Sequence, residues 1–124
     1  MKSHVFSKSE FEAFQSGVIF WMDRIGLYGW NYSVEQSPCD DGVIASVFYE
    51  NTTKKAKFVL TNQCCGELLA DEDMERTALH EVLHLLLSDF CWSAAKTQDD
   101  FSDSVLAYEH DVINRLLKVI PSEE

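Results

Sequence analysis

The sequence predicts an α+β fold, and three observations lead there. Apolar residues recur at helical spacing near the N-terminus, alternate with period two through the middle, and return to helical spacing over two later segments. The expected order is therefore an N-terminal helix, a three-stranded antiparallel sheet, a second helix and a C-terminal helix. At 124 residues the chain supports one core, so residues 1–124 are expected to form a single domain.

In the first helix, expected over Ser9–Leu27, Phe11, Phe14, Val18, Trp21, Met22 and Ile25 share a face. Ser7 or Ser9 supplies the N-cap, and Gly26 or Gly29 the stop. Trp30–Glu35 then alternates as a half-buried strand does, and Pro38–Gly42 is a turn. The β-branched and aromatic runs Val43–Glu50 and Ala56–Thr61 flank Asn51–Lys55 as an antiparallel hairpin. Asp71-Glu72-Asp73 gives an acidic, capped first turn to a helix expected from Asp73 to Phe90. A loop is expected over Cys91–Phe101, with Gln98-Asp99-Asp100 an acidic stretch at its end. The last helix then runs from Ser102-Asp103 to the stop at Pro121.

Composition narrows the function. With 21 acidic residues against 10 basic, the formal net charge is −11, which repels a phosphate backbone. The one basic concentration, Lys54-Lys55-Ala56-Lys57, falls at the hairpin tip, where lysines guard a strand against aggregation. No nucleic-acid partner is expected. Met1–Phe6 lacks a secretory signal, and no apolar run approaches the ~20 residues of a membrane span, so a soluble, cytoplasmic protein is expected. Cys39, Cys64, Cys65 and Cys91 contain no C-x-x-C pair and are expected as free thiols. Trp21, Trp30 and Trp92 belong by default to the core or its rim.

The chemistry concentrates in His80-Glu81-Val82-Leu83-His84. Histidines four apart on a helix stand one turn apart on one face, where both imidazoles reach a single ion. Zn2+ accepts such nitrogens in tetrahedral geometry. Glu81 projects beside the ion, placed to hold and deprotonate a metal-bound water. The segment around it is apolar nearly all round, with Leu79, Val82, Leu83, Leu85, Leu86 and Leu87, so the helix is expected to be buried. Burying two histidines and a glutamate together is costly unless something compensates, and a metal does so.

A catalytic zinc needs a third protein ligand and one open position. The last helix offers Glu109 and His110, 25 and 26 residues beyond His84. Glu109 aligns with Val105, Val112 and Leu116, and His110 with Leu106, Ile113 and Leu117. Glu109 is the expected ligand and His110 the alternative.

His80–His84 followed by Glu109 on the next helix resembles the gluzincins, in which a downstream glutamate completes a His2Glu zinc site. The wider pattern is similar to minimal zincin-fold peptidases, including small phage-encoded metallopeptidases and, more distantly, SprT-like proteins. Val43–Asn62, Arg76–Asp89 and Tyr108–Leu117 carry the resemblance, about half the chain. It implies a minimal zincin-like fold with zinc held by His80, His84 and Glu109, and Glu81 as general base; if phage-encoded, the protein would act in the host cytoplasm. The metzincin glycine and third histidine are absent from Leu85–Phe90, and the zinc ribbon of some SprT-like proteins is not expected after Pro121.

The expected activity is zinc-dependent hydrolysis of peptide bonds in a protein or peptide substrate, gripped along a sheet edge from the Val43–Glu50 and Ala56–Thr61 hairpin. Tyr49, Tyr108 and His110 are the candidates for stabilising an oxyanion. The alternative class is a non-catalytic, zinc-binding acidic protein that docks on a basic partner. Glu81 separates the two, because a purely structural site needs no base there.

Overall fold

Ser7 starts the first helix. Its hydroxyl accepts the Glu10 N–H at 3.1 Å while its own N–H donates to the Glu10 carboxylate at 2.9 Å, a reciprocal cap. Helix α1 (Lys8–Ile25) ends where Gly26 adopts φ 92°, a left-handed conformation only glycine takes without strain, and returns its N–H to the Met22 carbonyl. Of the expected caps the structure uses Ser7 and Gly26. The computed structural model describes residues 3–38, 43–65, 73–94 and 103–121, with side chains at 5–38, 43–63, 73–88 and 109–121. Outside these lie Cys39, the Asp40–Gly42 part of the expected turn, Asp71-Glu72 of the acidic cap, and residues 95–102 with Gln98-Asp99-Asp100. The side chains of Cys64, Cys65, Cys91, Trp92, Val105, Leu106 and Tyr108 lie outside them too.

The described elements confirm the α+β class: three helices accompany a three-stranded sheet of β2 (Asn31–Gln36), β3 (Ala45–Glu50) and β4 (Lys55–Leu60). The sheet is mixed rather than antiparallel as expected. Its order is β2-β4-β3, with β4 antiparallel to β3 and parallel to β2. Two successive chain reversals make β4 parallel to β2, and burial puts β4 between its neighbours. Phe58, Val59 and Leu60 are all buried, whereas β2 alternates exposed with half-buried residues. The strand richest in buried side chains takes the centre, where both neighbours cover it. A second ladder was not expected: β1 (Ser3–Val5) pairs antiparallel with β5 (Gln63–Cys65). Three-residue strands are too short to show alternation.

Helix α2 runs Met74–Ala94, four residues beyond the expected end at Phe90. Cys91-Trp92-Ser93-Ala94 contains neither Gly nor Pro, so nothing in it interrupts helical hydrogen bonding. Helix α3 covers Asp103–Val119. The core gathers one face of each helix and the central strand: Phe14 and Val18 of α1, Phe58 and Leu60 of β4, Leu79, Val82 and Leu83 of α2, and Ile113 of α3. Gly17 sits where α1 meets α2. A Cβ there would lie 2.9 Å from the Ala78 Cβ, so glycine is the residue that lets the two helices approach.

Three side chains, Asn51, Ser88 and Arg76, make the hydrogen bonds that fix α2 and α3. The Asn51 amide donates to the Ser88 hydroxyl at 3.0 Å, tying the hairpin turn to α2, and Ser88 donates to the Leu85 carbonyl at 2.7 Å. The Arg76 guanidinium donates to the Ile120 carbonyl at 2.8 Å and also to the Leu117 carbonyl, satisfying the open end of α3. Among the described residues no helix is long and apolar enough to cross a membrane.

Candidate metal centre

Arg76 meets residues 117 and 120 while His84 meets Glu109, so α2 and α3 lie antiparallel side by side. Arg76, His80 and His84 are spaced four apart and share one stripe of α2, the stripe that faces α3. Its N-terminal end anchors α3, and the next two turns present imidazoles to it.

The structure brings His80, His84, Glu109 and His110 together at this interface, with Glu81 beside them. The ring centroids of His80 and His84 are 4.9 Å apart, those of His84 and His110 4.8 Å, and those of His80 and His110 6.1 Å. One ligand nitrogen from each of the three lies within 4.8 Å of the others. Glu109 is also present, but its carboxylate Oε1 lies against the His84 Nδ1. Its side chain is only 3% exposed, and that of His84 17%. Glu109 thus points inward as expected, in company with the buried Ile113 rather than with Val112, which is 41% exposed. The helical wheel put Ile113 with His110 instead. The two stripes are one residue apart, and α3 rolls so that Glu109 and Ile113 face α2 while His110 stands at the margin. Tyr49 is half-buried on β3.

The residues fit a metal on an observation independent of any resemblance. His80 Nε2 is buried and makes no hydrogen bond, and such a nitrogen is costly to desolvate unless an ion or a water takes its lone pair. Neutral imidazoles are the state in which histidines ligate, and the electrostatics favour it. The His80 pKa is pushed down to about 4, first by burial and then by the neighbouring His84 and His110, with Glu109 opposing. Three imidazole nitrogens with a carboxylate behind one of them suit a divalent transition metal, zinc included.

Glu81 is buried at 7% exposure beside this cluster, with its Oε2 3.8 Å from the His80 Nδ1. Burial, reinforced by Glu109, raises its pKa to about 8. In the metal-free protein, Glu81 therefore keeps a proton that the unfolded chain releases near pH 4.5, while His80 refuses one that the unfolded chain binds below 6.5. Between pH 4.5 and 6.5 these two linkages oppose each other. From 6.5 to 8 only Glu81 remains, and stability falls as pH rises, by about 2 kcal/mol over that window. Urea titrations of the metal-free protein at pH 6.5 and 8, set beside Glu81→Gln, measure this. An equal decline in the variant would show that Glu81 is not its source.

No family model, no curated protein and no solved structure matches this chain. Sequence reasoning missed Arg76, although its position four residues before His80 on the ligand stripe was a usable signal.

Proposed function

We propose that this chain is a zinc-dependent metallopeptidase of minimal zincin-like build, with His80, His84 and His110 as metal ligands and Glu81 as general base. The supporting observation is the convergence of three imidazoles from two helices within 4.8 Å, beside a buried carboxylate of raised pKa. Zinc, when bound there, supplies Lewis acidity, polarising a peptide carbonyl and acidifying water near neutral pH.

The rest of the chemistry belongs to the protein. Glu109 takes the Nδ1–H of His84, which leaves Nε2 of that ring bare and its orientation fixed. Glu81, ionised, accepts a proton from the attacking water and returns it to the leaving amine. A cation near Glu81 favours that ionised form and offsets the burial that otherwise holds the proton on it. His110 is exposed, so the ligand set opens towards solvent on the α3 side, where a substrate can enter. β3 is an edge strand of the three-stranded sheet and packs against α2, a suitable rail for an extended protein or peptide substrate.

Equilibrium zinc titrations of His110→Ala and Glu109→Gln, alongside cleavage of an unfolded protein substrate, test this assignment. His110→Ala is expected to lose affinity by more than the roughly 10–100-fold that removal of an orienting partner costs, and Glu109→Gln to stay within that range. The reverse ranking would make Glu109 the third ligand and return the site to a His2Glu set. Stoichiometric zinc without cleavage would leave a metal-binding protein and remove the peptidase.

A further inference from the structure

We propose that the groove between the C-terminal half of α1 and the start of β2 is a receptor for an arginine side chain presented by a basic segment of a partner protein. The groove encloses about 450 Å³ and includes Phe20, Asp23, Leu27, Tyr28, Trp30 and Tyr32 in its lining. None of these residues belongs to the metal centre, and the inference does not depend on that site's activity.

Four aromatic rings and one carboxylate define what the groove accepts. Ring faces carry negative electrostatic potential and attract a guanidinium or ammonium group, and a planar guanidinium can also stack on them. Two of these rings already hold a cation of this chain. Lys54 Nζ lies 4.9 Å from the Trp30 centroid, and the Arg24 guanidinium carbon lies 6.0 Å from that of Phe20. Tyr28 and Tyr32 have no such cation among the described residues. The Asp23 carboxylate forms no ion pair among them either, and its charge is felt at Tyr32, whose phenol pKa burial and then Asp23 push up. A cation with an apolar stem satisfies all of these at once: stem on Leu27 and the rings, charge at Asp23.

The walls are held in place before any ligand arrives. The Tyr28 hydroxyl donates to the Asp23 carbonyl at 3.0 Å, and Tyr32 packs edge-on against the buried Phe58 with centroids 5.9 Å apart. Such fixed rings lose little freedom on binding. Tyr28 remains 77% exposed, so the groove's mouth is open and its outer wall is an aromatic side chain in water. The net charge of −11 draws basic segments towards the whole surface, and the groove is where aromatic contact adds selectivity to that attraction.

The test follows side-chain and indole resonances of the full-length protein during titration with a capped Gly-Arg-Gly peptide and its citrulline counterpart. Citrulline keeps the shape and stem but carries no charge. The arginine peptide should shift the Tyr28, Trp30 and Tyr32 signals together, and citrulline should bind roughly three- to tenfold more weakly. Asp23→Asn should weaken arginine binding towards the citrulline value, and Tyr28→Leu should weaken binding while leaving Asp23 in place. Equal binding of the two peptides would overturn the proposal. So would shifts scattered over acidic side chains rather than gathered at these three rings, or an Asp23→Asn protein that binds arginine as before.

Discussion

His84→Ala is expected to abolish stoichiometric zinc binding and to remove the stabilisation that zinc confers. A ligand present at about 100 times its dissociation constant stabilises the folded state by about 2.7 kcal/mol, so the wild-type melting temperature should climb as zinc is added and that of the variant should not. Two parts of the site predict this jointly. His84 has a ring neighbour on each side, His80 at 4.9 Å and His110 at 4.8 Å, so removing it takes out the member that links the other two. Glu109, 3% exposed at its side chain, also loses the imidazole against which it rests. Loss of a buried hydrogen-bond partner costs about 1–3 kcal/mol even without metal, so the metal-free variant should also unfold at lower urea. Elemental analysis and melting curves with and without zinc separate the two effects. A variant that still binds one zinc per chain would dispose of the metal centre as drawn.

How much of this was legible beforehand depends on the range over which each signal acts. Helix α1 was legible because its cap, stop and apolar face are all local, set by Ser7, Gly26 and the residues between them. The direction of β2 beside β4 was not. A strand half-buried on one face alternates in the same way whether its neighbour runs with it or against it, and only the burial of Phe58, Val59 and Leu60 together hinted that β4 takes the middle. The His80-Glu81 pair and His84 could be found because their spacing is helical geometry written directly in sequence. That Glu109 faces inward was legible too, but its company there, Ile113 rather than Val112, was not, since adjacent residues lie about 100° apart on a helix and a modest roll of α3 changes which neighbours share its face. That roll is fixed by contacts distant in the chain: Ile113 in the core, and Arg76 reaching the carbonyls of Leu117 and Ile120.

Glu81→Gln tests the step from metal site to enzyme, and it should cost the most activity for the least structural change. General-base catalysis contributes about 10²–10⁴-fold, so cleavage of an unfolded substrate should fall by that factor while zinc content stays at the wild-type value. Glutamine suits the position because Glu81 is buried and retains its proton up to about pH 8 without metal. A neutral amide therefore resembles the state the metal-free fold already prefers. Below about pH 4.5 the variant should match the wild type in metal-free stability, and from there up to about pH 8 it should become progressively the more stable of the two, because it has no proton to surrender. A stable, zinc-loaded, inactive variant is thus distinguishable from one that has merely misfolded. If that same variant cleaved at the wild-type rate, Glu81 would be a buried carboxylate kept for packing, and the proposed base would have to be sought elsewhere. If the wild type cleaves nothing and Glu81→Gln only stabilises it above pH 4.5, the metal centre stands without catalysis, and recognition of a basic partner at the Asp23 groove becomes the activity to pursue.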